Sequence, residues 1–163
     1  MKEIRSLVRE VLKESFLNEN YENLNNASVE EQLAAIEKDA CAIEYIDNPS
    51  EAVQLAFIEQ HGVSFFIGSR VASLLDIISN PSEAVQLAAV KDNGYAIECI
   101  ENPSEAVQLA AVKQNGNAIA YIKNSSEEVQ LAAVNQNGRA IEDIDNPSSK
   151  VKAKADLSRW MKG

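Results

Sequence analysis

His61 is the only histidine of this chain and Cys41 and Cys99 its only cysteines, so the chemistry a sequence can offer is concentrated in three residues. A histidine can move protons near neutral pH, and a thiolate can attack a substrate or bind a metal. None of the three has the company such work requires. The sequence has no zinc-ligand spacing, no phosphate-cradling glycine loop and no nucleophile–base arrangement. His61 stands where sister segments carry Asn and reads as part of a helix stop. The two thiols read as small buried hydrophobes in a reducing compartment, not as a disulfide framework. Carboxylates recur in two series, Glu44, Glu98 and Glu142, and Asp47, Glu101 and Asp145. Paired carboxylates can serve acid–base catalysis, and oxygen-rich loops can hold calcium. Here no calcium-loop spacing accompanies them, and they read as a solvated stripe. We therefore assign no catalytic residue, metal ligand or cofactor, and expect the chain not to be an enzyme.

A third polar series is more regular. Gln32, Gln54, Gln86, Gln108 and Gln130 occupy the same place in successive copies of one phrase. NPSEAVQLAAVKDNGYAIECI starts at Asn80, returns as NPSEAVQLAAVKQNGNAIAYI 22 residues later at Asn102, and returns again from Asn124 and Asn146. A fixed short period marks a solenoid, in which each unit covers the apolar face of its neighbour. Stacking turns the glutamines into a ladder. Each amide is expected to bond the adjacent repeat's backbone; the alternative is a row of amides offered to a partner.

The elements follow from the phrase. Asn at its first position is the expected N-cap, Pro the first helical residue, and Glu three residues after Asn completes a capping-box spacing. The helix is expected to run about eleven residues, ~16 Å. It should stop at His61-Gly62, Asn93-Gly94, Asn115-Gly116 and Asn137-Gly138, with Gly62, Gly94, Gly116 and Gly138 in the left-handed conformation. A second apolar spacing, Ala96-Ile97 with Ile100 and its counterparts, fits one α or 3₁₀ turn. The long helix is apolar around most of its circumference, as a helix covered on both sides requires. The expected fold is an all-α helical solenoid: residues 1–25 an N-terminal amphipathic helix and linker, 26–145 five repeats, and 146–163 a basic C-terminal cap helix. At roughly 10 Å per layer the rod is about 50 Å long.

Two departures are informative. The second repeat is ten residues too long, and the surplus falls within about 63–72. It contains Phe65, Phe66, Ile67 and Arg70, an aromatic cluster with an arginine, which is the composition of a contact hot spot or dimer contact. The alternative is a longer second helix filling space beside Phe57. At the N-terminus, Ile4, Leu7, Val8, Val11, Leu12 and Phe16 share one helical face, which either caps the first repeat or docks on another chain.

The net charge is −10, unevenly spread: residues 149–163 hold five basic residues and one acid, and the repeat region about −14. Such a surface repels nucleic acid and attracts a basic protein. No apolar run is long enough for a membrane span, and the N-terminus lacks the pattern of a signal peptide. The expected location is intracellular.

The phrase AVKQNGxAI resembles a bacterial and viral domain family of unknown function built from tandem AVxxNGxALxY units, over about Asn26 to Asp145. One long and one short helix per repeat is also similar to the leucine-rich-repeat variant proteins. The resemblance implies a right-handed helical solenoid with no catalytic activity, cofactor or named partner. MKEIRSLVREVLKES is similar to leader helices of tailed-phage proteins, which implies a phage or other viral origin. Together these readings make the protein a binding solenoid, a viral accessory protein that inhibits or recruits a host protein. The alternatives are an assembly protein that self-associates as a homodimer or larger oligomer, and an acidic DNA mimic.

Overall fold

The computed structural model describes residue 21, residues 23–67 and residues 70–162, with backbone alone for 65–67, 70–72 and 162. The expected N-terminal amphipathic helix lies outside the described residues. The long helices are α1 (Val29–Lys38), α2 (Glu51–His61), α4 (Glu83–Asp92), α5 (Glu105–Gln114), α6 (Glu127–Gln136) and α7 (Ser149–Lys162); α3 (Leu74–Ile77) is a single turn. Each long helix packs on the next in chain order. The 3₁₀ turns Ala40–Tyr45, Gly94–Cys99, Gly116–Tyr121 and Gly138–Asp143 form the second layer, and the last three stack on one another. The architecture is the expected all-α repeat stack.

Burial explains the apolar positions. Val85, Ala89 and Val90 of α4 and the matching residues of α5 and α6 are fully buried, and Ile97, Ile119, Ile100 and Ile122 close the core from the 3₁₀ side. Burying a Val or Ile side chain contributes roughly 1.5–3 kcal/mol, repeated in every layer. The small Ala at the contact lets helices approach closely. The coverage is not complete, however. Leu87, Leu109 and Leu131, with Ala88, Ala110 and Ala132, are only half-buried on the outer face of the helix layer.

The caps are built differently from the expectation. The N-cap is Ser at the third position of the phrase, not Asn at the first: Ser50, Ser82, Ser104 and Ser126 each accept the backbone N–H three residues on. Among the described residues the full capping box is present at Ser28 and Glu31. There, two hydrogen bonds from Ser28 hold the Glu31 carboxyl below its ordinary value. Asn serves another purpose. Asn80, Asn102, Asn124 and Asn146 have φ of 50–54°. That left-handed region is open to Asn at low steric expense and closed to most residues.

Asn at the helix end also has its own task. Asn93, Asn115 and Asn137 are extended, and each side chain accepts the N–H two residues on, starting the 3₁₀ turn. The left-handed glycine stop is corrected too. Gly62 alone among the described glycines has positive φ, +77°. Gly94, Gly116 and Gly138 are required by space. A Cβ on Gly116 would lie 2.6 Å from the Ala133 carbonyl of the next helix and 2.8 Å from Gln136 Oε1.

The insertion is neither a longer helix nor a loop. It is an antiparallel β-hairpin, β1 (Ser64–Ile67) and β2 (Arg70–Ser73), in register from Ser64↔Ser73 to Ile67↔Arg70. Its base is closed by Leu74 N–H donating to the Val63 carbonyl at 2.8 Å. Val63, Leu74 and Ile78 remain buried, so the repeat resumes its core on either side of the hairpin. The polar linker expected near residue 25 is packed as well. Leu24 is buried in a 3₁₀ turn, and Asn25 exchanges hydrogen bonds of 2.6 and 2.7 Å with Asp47.

Candidate binding surface

The glutamine ladder turns inward, but within each repeat. The Nε2 groups of Gln54, Gln86, Gln108 and Gln130 donate to the carbonyl five residues earlier, at Pro49, Pro81, Pro103 and Ser125, over 2.7–3.1 Å. Gln32 donates to the Leu24 carbonyl at 2.8 Å. The expected bond to the neighbouring repeat is thus replaced by a clamp on the turn entering the same helix. Gln108→Ala is expected to lower stability by about 1 kcal/mol through loss of that bond. Thermal melting checks it, and an unchanged midpoint would contradict the clamp.

The cross-repeat bonds use residues the sequence reading passed over. Gln114 Oε1 accepts from Gly94 N–H at 2.8 Å, and Gln136 Oε1 from Gly116 N–H at 2.7 Å. Asp92 Oδ2 does the same for Val63 N–H at 2.7 Å. At the other end of the helices, Ser104 Oγ donates to Glu83, and Ser126 Oγ to Glu105 at 2.5 Å. Ser148 and Lys150 bond Glu127, with the lysine at 3.2 Å, and hold its carboxyl below the ordinary value. The signal for both series was in the sequence as a recurring position, the helix-end Gln or Asp and the Ser-Glu pair.

His61 fits the same scheme. Its Nε2 lies 2.8 Å from the Ile36 carbonyl, which can only accept, so that nitrogen carries the proton. Its ring packs 5.0 Å from that of Phe57. The thiols are not buried as expected: Cys41 is half-buried and Cys99 exposed. Burial and then the Asp39 carboxylate push the Cys41 thiol up to about 11. The folded state therefore favours the protonated thiol. Its contribution is whole below the ordinary thiol range and is lost as pH rises toward the folded value. Iodoacetamide at pH 8 is expected to label Cys41 much more slowly than a free cysteine; equal rates would refute the assignment.

Phe65, Phe66 and Ile67 lie in β1 and Arg70 in β2, and β1 runs beside the Ala40–Tyr45 turn. The contact role expected of these four side chains lies outside the described residues. Of the acidic series, Asp47, Glu98, Glu101, Glu142 and Asp145 are exposed and Glu44 is half-buried; Asp143 beside them is exposed too. Glu142 pairs with Arg159 at 3.2 Å. Among the described residues no group of His, Cys, Asp and Glu converges as a metal site requires. The same layer of turns carries two exposed aromatics that the sequence reading missed. Tyr95 and Tyr121 meet edge to face, with ring centroids 5.9 Å apart. Tyr21 and Tyr45 form a second pair at 5.3 Å farther along the stack.

The fold and its bonds define a class, an all-α solenoid of 22-residue units with one β-hairpin insertion. Compared with protein-family models, curated proteins and solved structures, the chain finds no match. Among the described residues no helix is long and apolar enough to cross a membrane.

Proposed function

We propose that the protein is a non-enzymatic binding solenoid whose 3₁₀ edge recognises a basic surface on another protein inside the cell. The observation that supports this most directly is the exposed Tyr95–Tyr121 pair on a layer of 3₁₀ turns that also carries the exposed acids Glu98, Glu142 and Asp143. Exposed tyrosine faces attract Lys and Arg side chains, at about 0.5–1 kcal/mol each. The acids of the same layer speed encounter with a positive surface and repel nucleic acid. Rigidity supports the same reading. The turns that carry the two tyrosines are each held by an Asn cap and by the glutamine at the end of the next repeat's helix, so this part of the edge is preorganised. In the viral setting that the likeness of the N-terminal segment to phage leader helices implies, the partner is a host protein that the solenoid inhibits or recruits.

The test is affinity purification from the native cell with the wild-type chain, with Tyr121→Ala, and with Glu98→Lys/Asp143→Lys. A partner that is retained by wild type, released by salt and lost from both variants is the expected result. A partner retained equally by all three, or none retained by wild type, would overturn the proposal.

A further inference from the structure

The last helix leaves its outer face bare. α7 buries Val151, Ala155 and Ser158 against α6. On the opposite side Leu157, Trp160 and Met161 are 48, 81 and 70% exposed. Spaced three and four residues apart, they form one apolar ridge. No described residue covers it. The segment is rich in charge, yet these three exposed positions are apolar. The ridge also falls at a telling position. Trp160 occupies the slot held by Gly94, Gly116 and Gly138 in the inner repeats. There the backbone of the following helix forbids even a Cβ. In α7 that slot carries the largest side chain there is, and the helix runs on through it.

We propose that this ridge is the docking site for the N-terminal segment, residues 1–20, of a second copy of the chain. The segment has the complementary pattern: Ile4, Leu7, Val8, Val11, Leu12 and Phe16 at helical spacing over a length matching the 14 residues of α7. The segment cannot be the chain's own. It joins the solenoid at Tyr21, beside α1, and α7 is five helix layers away, roughly 50 Å. Residues 17–20 reach at most ~14 Å. Two copies of α7 are also poor partners for each other. The helix carries Lys150, Lys152, Lys154, Arg159 and Lys162 against Asp156 alone. The N-terminal segment balances its charges, and at helical spacing Glu3, Glu10 and Glu14 fall together on one flank of its apolar stripe. The joint is one-way, end to start, so copies add in a line or close into a ring. It is independent of the partner recognised by the 3₁₀ edge.

Trp160 is the only tryptophan and reports directly on the joint. In the full-length protein, its emission is expected to shift to the blue as concentration rises, together with a growing mass by light scattering. Trp160→Asp, at a surface position, is expected to melt as wild type does and to remain at 17.8 kDa. Leu7→Asp/Leu12→Asp is expected to remain at that mass too, with an intact ridge. An equimolar mixture of the two variants is expected to regain the dimer mass, because one supplies the segment and the other the ridge. The proposal is overturned if wild type stays monomeric with unchanged Trp160 emission. It is equally overturned if Leu7→Asp/Leu12→Asp associates by itself, or if the mixture of folded variants does not associate. Loss of partner binding with this assembly intact would instead count against the 3₁₀-edge proposal alone.

Discussion

Gly116→Ala is expected to destabilise the protein by about 3 kcal/mol, at the upper end of overpacking substitutions. The added Cβ meets a fixed obstacle. It would stand 2.6 Å from the Ala133 carbonyl. That carbonyl already accepts Asn137 N–H at 2.8 Å to close α6. Gly116 N–H is itself bound to Gln136, so moving the turn outward breaks a second bond. For a chain of this size the loss corresponds to a melting shift of roughly 6–12 °C. Denaturant or thermal unfolding measures it, and a shift under 2 °C would show that the layers can part without strain. The first repeat carries Ala40 at this slot. Its neighbour in the next helix is Phe57 where the others have Ala, and a large side chain at the contact holds helices apart.

Phe57→Ala is expected to cost about 3–5 kcal/mol. Phe57 is completely buried, and it is the largest such side chain in the core. It lies between α1 and α4, beside His61, whose ring reaches back to the Ile36 carbonyl. The cavity would therefore loosen the joint between the first repeat and the remainder. Because repeats contact only their neighbours, the damage should stay local. Hydrogen exchange is expected to show α1 and α2 opening while α5 and α6 keep their protection. Uniform loss of protection along the stack would refute a local joint.

The fold was legible in the sequence because a 22-residue period with apolar positions at helical spacing admits few arrangements. What the period does not reveal is which constraint a recurring residue answers. Asn102 looked like a cap because Asn caps helices, yet it is chosen for its left-handed backbone, and Ser104 does the capping. Gly116 looked like a conformational stop, yet the requirement comes from a carbonyl in the next repeat, which a one-dimensional reading cannot place. Gln108 was read as bonding the backbone of the adjacent repeat, but its acceptor is local. The hairpin was missed because its four-residue strands carry too short an alternation to stand out from the helical pattern around them. Of the proposed binding surface, the recurring acids were visible. The Tyr95–Tyr121 pair was not, because the two rings sit at different positions of successive units and meet only when those units are stacked.

The Ser–Glu links have a consequence for how such a chain can change over time. Glu83 receives the hydroxyl of Ser104, and Glu105 receives that of Ser126, through identical geometry. Excising residues 102–123 would bring Ser126 to Glu83 and Gln136 to Gly94 with these links matched, and duplicating the same stretch would add a layer with the same links. The joint makes length an editable quantity, altered in whole units by recombination between near-identical stretches of coding sequence. The spacing between the hairpin and the C-terminal ridge is then open to selection, while the chemistry of each layer stays as it is.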